Sequence, residues 1–416
     1  CMLHIRRNRV AELEFGKKVM ARAAALADEG RDPNQIAKIL CDEDPQACNY
    51  GIGIVLEGDG TAYPTSPTLL RYVTEEVKSS TLGSYKNSMS LYGQLRERVL
   101  QWQRVPREHW DRFSLVTPSD AGTGAVKTAV ELAAALRPSL RTLGVEQLGW
   151  PAYRAIATSV RFGIEEYPTG KPISGDGCLA LYQAGPMNTT GEVVSAETMA
   201  ERARVAAARG ELVVLDRAYS GFELARRLEA GYDRLMADSF SRFVLPFVEQ
   251  GVPFLLAISP TKAFGSFALR PAGLLLAYTP DTARKAEVQQ LMNTLMRARG
   301  SSFEHPATRG LVRALVEDLD GLEVDHQGIL RRIASAEAMW RQHAGETGIG
   351  ALFGERYAGL FRNPPAAENA AEGLYGEHLY PVLSKGRCRI NITGISNVDE
   401  VARTHVAAFG RFVGVD

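Results

Sequence analysis

The chain has no long hydrophobic run, no excess charge of either sign and little cysteine, and each shortage removes a class of protein. Its longest apolar stretches, such as Leu212 to Leu215 and Pro253 to Ile258, are strand-length and fall far short of the roughly 20 residues that span a bilayer. No membrane partner is expected. Forty-eight basic residues balance 48 acidic ones, so no global field recruits nucleic acid or an anionic surface. Cys41, Cys48, Cys178 and Cys388 are scattered without paired metal spacing, which argues against a metal site or a disulfide scaffold and points to a reducing cytoplasm. The N-terminus carries Arg6, Arg7 and Arg9 but no continuous apolar core followed by a small-residue cleavage site, so export is not expected. A small-molecule role is favoured.

What is present is an alternation of patterns. At 416 residues the chain exceeds one small core and fits a large domain plus a smaller one. Apolar positions at helical spacing from Val10 to Leu40, broken at Gly30-Arg31-Asp32-Pro33, predict two helices of an N-terminal arm packed on something else. A glycine-rich loop segment follows, Gly51-Ile52-Gly53-Ile54 through Gly60. Beyond it, helical runs (Val126 to Leu136, Ala196 to Ala208, Thr282 to Arg297) alternate with short strands (Leu143 to Val145, Leu179 to Tyr182, Leu212 to Leu215, Leu255 to Ile258, Gly273 to Ala277). Such alternation predicts an α/β fold whose large domain has a mostly parallel sheet flanked by helices on both faces. His305 to Glu346 reads as helical, and the strand Arg387 to Ile392 with a helix over 398–412 reads as part of a small α+β domain. The expected division is an N-terminal arm and part of the small domain over 1–60, a large domain over 61–310, and a C-terminal small domain over 311–416.

Chemistry-bearing residues sit at the ends of the expected strands. Lys262, in Ser259-Pro260-Thr261-Lys262-Ala263-Phe264-Gly265, follows a buried strand, where partial desolvation lowers an amine's pKa and lets it form a Schiff base with an aldehyde cofactor. Ser259 and Arg270 flank it as phosphate donors. Asp216 ends another apolar strand, where a carboxylate is costly unless it meets a cation; a helix N-cap is the plainer reading. Tyr219 lies three residues on. Ala121-Gly122-Thr123-Gly124 opens a helix after an extended segment and can offer backbone N–H groups to an anion, though a short glycine-rich turn alone is weak. Asn188-Thr189-Thr190-Gly191 reads equally as an ordinary turn. Trp150 and Tyr153, in Gly149-Trp150-Pro151-Ala152-Tyr153, can stack on a planar group or simply pack in the core.

Taken in order, these segments resemble the fold-type I pyridoxal-phosphate enzymes, and among them the class I aspartate and aromatic aminotransferases. The resemblance runs from about Tyr50 to the C-terminal helix and implies pyridoxal 5′-phosphate (PLP) as cofactor, bound by the large domain. It makes Lys262 the Schiff-base lysine, Asp216 the partner of the pyridine nitrogen, and Tyr219 and Asn188 the pair on the ring hydroxyl. It assigns Gly122, Thr123, Ser259 and Arg270 to the phosphate, Trp150 to the ring, Arg389 to the substrate α-carboxylate and Gly53 to the substrate. Tyr85 matches a tyrosine reaching the neighbouring subunit's phosphate, with Tyr92 as competitor. Arg299 matches an arginine for a side-chain carboxylate, with Arg297 close enough to confuse the register. A homodimer with shared active sites is implied.

The resemblance further implies transamination between an amino acid and a 2-oxo acid through a Cα carbanion. Departures from the family pattern keep an alternative open. Thr189 stands where the family has proline, Ala121 where serine is usual, and Tyr153 where a histidine supports the aspartate, whose loss is expected to remove a hydrogen bond from Asp216. These changes suit elimination, replacement or carbon–carbon bond formation in specialised metabolism, on an S-adenosylmethionine-type substrate among others. A non-catalytic regulatory protein on the same fold is the third reading.

Overall fold

The computed structural model describes residues 2–79, 83–300 and 304–415, with side chains from residue 11 onward. The described chain forms two compact units.

The larger unit, Pro64–Met187 with Val193–Leu330, is built on a seven-stranded sheet. Its order is Phe113–Val116, Leu274–Tyr278, Phe254–Ile258, Val213–Arg217, Cys178–Gln183, Thr142–Glu146, Gly163–Tyr167. Five of the predicted strands are here within a residue or two. The sheet is mostly parallel, as expected, and its departure is Leu274–Tyr278, which runs antiparallel to both neighbours. The connection leading into it, residues 259–273, holds only the four-residue helix Pro260–Ala263, whereas parallel neighbours are usually joined through a full crossover helix. The central strands are buried on both faces, as apolar runs require. The edge strand Gly163–Tyr167 is mostly exposed and charged, with Glu165 and Glu166, which suits an edge that must not pair further.

Helix boundaries follow capping chemistry. Ala196–Arg209 starts where Ser195 accepts from the Thr198 N–H and ends at Gly210 in the left-handed region (φ 61°). Ala121–Leu136 packs against the sheet through Ala125, Ala129 and Val130, all in one core cluster. Gly310, on Pro306–Glu317, meets helix Pro67–Lys78 so closely that an added Cβ would lie 2.7 Å from the Val73 backbone nitrogen and Cα.

The smaller unit gathers residues up to Tyr63, Asn188–Glu192 and Arg331–Asp416. Helices Met2–Asp28 and Pro33–Glu43 are the expected arm, separated by Gly30 (φ 81°) and restarted by Asp32 in a capping box with Gln35. What they pack on is in the same unit: Leu26 and Leu40 join Tyr375 and Tyr380 in one cluster. Strand Arg387–Asn391 lies antiparallel between Val382–Ser384 and Phe361–Arg362. The Arg332 guanidinium donates to the carbonyls of Leu56, Thr393 and Ile395 and ties three segments together.

Gly310→Ala is expected to lower the unfolding free energy by about 1–3 kcal/mol, the usual cost of overpacking. A urea midpoint unchanged from the parent would show that the two helices part without strain.

Candidate active site

The site grows from Asp216. Strand Val213–Arg217 lies between Cys178–Gln183 and Phe254–Ile258, so a carboxylate near its end has apolar sheet on two sides. The next residue, Arg217, cannot neutralise it, because successive strand residues point to opposite faces. Arg217 is fully buried and donates elsewhere, to Gln103 Oε1 (2.6 Å), the Ala184 carbonyl (3.2 Å) and Ser239 Oγ (2.9 Å). Burial therefore pushes the Asp216 carboxyl up to about 6, while the Tyr153 hydroxyl, the Ala218 N–H and the Lys262 ammonium each pull it down.

The Tyr153 contact corrects an expectation. Tyrosine in place of histidine does not remove the hydrogen bond to the aspartate: the Tyr153 O–H donates to Asp216 Oδ2 at 2.6 Å. Helix Ala152–Ser159 begins directly after the turn that follows strand Thr142–Glu146, and this carries the phenol far enough to reach. Sequence reasoning missed Tyr153 as a site residue because it weighed the lost imidazole and not the reach of a phenol. Trp150 is half-buried and meets the Tyr153 ring edge-on, centroids 5.4 Å apart at 86°.

Lys262 sits on the short helix Pro260–Ala263, straight after strand Phe254–Ile258. It is half-buried, with Nζ 5.6 Å from the Tyr219 ring centroid and 4.3 Å from that of Phe267. Phe267 carried no signal in the sequence beyond being an aromatic in a loop. Ser259, buried, precedes this helix. Gly122 touches it: a Cβ at residue 122 would lie 2.7 Å from Ser259 Cβ and Oγ. Gly122 and Thr123 are half-buried in the first turn of Ala121–Leu136, whose backbone N–H groups lack intrahelical partners. Asp120 and Ala121 turn the chain into that helix with φ of 70° and 55°. Arg270 is exposed, at φ 46°, and its N–H donates to the Ser266 carbonyl. Within the larger unit, then, the fold gathers Lys262, Asp216 and Tyr219, and sets Gly122 against Ser259.

Tyr85 and Tyr92 separate. Tyr85 is 86 % exposed, whereas the Tyr92 hydroxyl donates to Glu304 Oε1 at 2.6 Å and so accepts from the Thr117 hydroxyl at 2.5 Å. Burial and the Glu304 charge push the Tyr92 phenol well above its ordinary range. Arg297, Arg299 and Tyr92 line a cavity of about 350 Å³ together with Asn87, Met89 and Thr117. Arg299 is paired in its own chain, Nη2 to Glu131 Oε2 at 2.7 Å. Ser301, Ser302 and Phe303, which follow it, lie outside the described residues.

The remaining expected residues belong to the smaller unit. Arg389 Nη2 donates to Asn34 Oδ1 (2.8 Å) and the Gly51 carbonyl (2.9 Å), with its guanidinium 4.8 Å from the Phe361 ring centroid. Gly53 is half-buried, with open space where a Cβ would stand. Asn188 is half-buried at the start of segment 188–192, whose Gly191 turns at φ 72°.

These groups fit PLP in type. A buried carboxylate suits a protonated ring nitrogen, a half-buried amine suits an aldehyde, and a glycine held against a serine at a helix start leaves room for phosphate oxygens.

Asp216 also has a measurable cost. Its folded pKa of about 6 lies above the unfolded value of about 3.9. The group's stabilising contribution is therefore complete below pH of about 4 and lost as pH rises through about 6, a difference of roughly 3 kcal/mol. In cofactor-free protein, Asp216→Asn is expected to exceed the parent in stability at neutral pH by up to about 3 kcal/mol, and not at pH of about 4. Urea unfolding at both values checks this; identical curves at both would contradict it.

Comparison with known proteins agrees with this chemistry. The sequence pattern of the family Aminotransferase class I and II matches residues 92–399. A tyrosine aminotransferase of Rhizobium meliloti (strain 1021) is 25 % identical over 406 residues, covering 90 % of this chain and 96 % of that protein. An aromatic-amino-acid aminotransferase of Paracoccus denitrificans is 26 % identical over 300 residues, 66 % of this chain and 71 % of that one. Among solved structures, the aromatic-amino-acid aminotransferase from Burkholderia pseudomallei, covalently bound to pyridoxal phosphate, shares the fold. Its TM-score is 0.74 at 19 % identity, over 91 % of this chain and 96 % of that one. Relatives named as aminotransferases favour transamination over elimination or carbon–carbon bond formation. The chain belongs to the class I and II aminotransferase family.

Proposed function

We propose that Lys262, Asp216 and Tyr219 are the catalytic residues of amino transfer between an amino acid and a 2-oxo acid. One observation carries this reading: a buried carboxylate, Asp216, lies within reach of the charge of the half-buried Lys262 amine, which itself sits 5.6 Å from the Tyr219 ring centroid. When bound, PLP supplies the electron sink for the pair left at the substrate Cα. Lys262 would hold the cofactor through its amine, and as a free amine it would be the base that takes the proton from the substrate Cα and the acid that gives it back. Asp216 holds the ring nitrogen's proton, and Tyr219 donates to the ring oxygen together with Asn188. Gly122, Thr123, Ser259 and Arg270 hold the phosphate, and Trp150 lies by the ring. Arg389 grips the substrate carboxylate as a planar fork, with Gly53 leaving room beside it.

The enzyme acts as a homodimer, with Tyr85 reaching the partner's phosphate and Arg299 the substrate of the partner's site. The exposure of Tyr85 (86 %), Met89 (63 %), Val77 (51 %) and Leu70 (46 %) supports a covered surface there. Arg299 is paired with Glu131, so a substrate side-chain carboxylate would bind there in exchange for that bridge. Cytoplasmic residence is supported by four free cysteines among the described residues.

Parent enzyme mixed with an amino acid and 2-oxoglutarate is expected to release the matching 2-oxo acid and glutamate. Lys262→Ala is expected to lower that turnover at least 10²- to 10⁴-fold, as loss of a positioned base does. Turnover retained by Lys262→Ala, or parent enzyme that consumes the amino acid without forming a new one, would contradict the proposal.

A further inference from the structure

Tyr153 is buried, and its hydroxyl lies 2.6 Å from Asp216 Oδ2. Only one proton is available between a phenol and a carboxylate, so one of them must hold it. Burial and the neighbouring Asp216, Glu146 and Tyr219 all push the phenol's pKa up, which leaves the proton on Tyr153 and makes Asp216 the acceptor. Hydrogen bonding to the charged form of an acid favours that form. The donor is also neutral in both directions: unlike an imidazole, a phenol gains no charge as pH falls. The groups that face Asp216 are few. Tyr153 comes from helix Ala152–Ser159, the Ala218 N–H from its own turn, and Lys262 from the turn after Phe254–Ile258.

We propose that Tyr153 is a positioning residue: its O–H fixes the orientation of the Asp216 carboxylate and keeps it ionised, so that Asp216 holds a protonated ring nitrogen across the acid side of the working pH range. The geometry supports this over mere packing. The Tyr153 ring is buried and packs perpendicular to the Trp150 ring, centroids 5.4 Å apart at 86°. With the ring so packed, its hydroxyl has a fixed direction, and a fixed donor selects one carboxylate rotamer. The first backbone turn of the helix contributes too, since the Tyr153 N–H donates to the Trp150 carbonyl at 3.1 Å. The inference rests on the assignment of Asp216 made above.

Tyr153→Phe keeps the ring and removes only the donor. It is expected to lower kcat roughly tenfold with KM within about twofold, the size of one hydrogen bond to a charged group. The acid limb of the kcat profile should move up by about one pH unit. A readout independent of turnover is the dissociation constant of PLP from the cofactor-free protein, expected to rise about tenfold near pH 6 and less above it. Tyr153→His, which restores a donor, should recover most of kcat and bring in a new dependence near the imidazole pKa of about 6.5. Tyr153→Phe that loses thermal stability while keeping the parent pH profile and PLP affinity would overturn the proposal, because packing alone moves only the first. Asp216→Asn, run in parallel, separates the two layers. If it impairs PLP binding and Tyr153→Phe does not, the role of Tyr153 falls; if neither variant impairs it, the Asp216 assignment falls as well.

Discussion

A carboxylate held in an apolar sheet is the constraint on which the site depends. Val213, Val214 and Leu215 are buried because the sheet is covered on both faces, and Asp216 continues that strand into the same environment. Its chain neighbour Arg217 faces the other way and is satisfied by Gln103, Ala184 and Ser239. The charge must therefore be met by whatever the adjoining turns bring to the strand's end. Tyr153 brings a donor and Lys262 a distant cation, and together they leave the carboxyl near pH 6. A stable protein without a cofactor would do better with an apolar or amide residue there. The proposed role of Asp216, as partner of a bound cation, accounts for that cost.

The same logic of close approach shapes the other end of the site. Gly122 against Ser259, and Gly273 with its Cβ position 2.3 Å from the Ala121 carbonyl, draw the helix start, the lysine turn and the antiparallel strand into contact. No side chain larger than hydrogen fits at either glycine. The antiparallel reversal at Leu274–Tyr278 is thus coupled to the proposed phosphate contacts: the strand begins where helix Ala121–Leu136 begins.

Much of this was legible in the sequence, and the omissions have physical reasons. Apolar runs ending in Asp216 and Lys262 located the central strands, because parallel strands buried on both faces leave a continuous signature. Helix ends at Asp32, Ser195 and Gly210 were written in capping chemistry. The strand Gly163–Tyr167 left no such trace, since its Glu165 and Glu166 face solvent, and Phe113–Val116 is only four residues long. Strand direction is not encoded in hydrophobicity at all, so nothing in the sequence marked Leu274–Tyr278 as the antiparallel member of a mostly parallel sheet. Tyr153 was visible as a departure from a family pattern, yet its consequence depended on a 2.6 Å distance that no spacing rule supplies. Tyr92 likewise became distinct from Tyr85 only through its bonds to Glu304 and Thr117.

The most direct test of the account is a titration of the Asp216 carboxyl itself. Carboxyl-carbon NMR of cofactor-free protein, with the Asp216 signal identified by its loss in Asp216→Asn, is predicted to show a midpoint at about 6 that moves below the ordinary aspartate range when PLP is added. A midpoint near the ordinary value of about 3.9, unmoved by PLP, would contradict the claim that this buried charge is built to receive a cation.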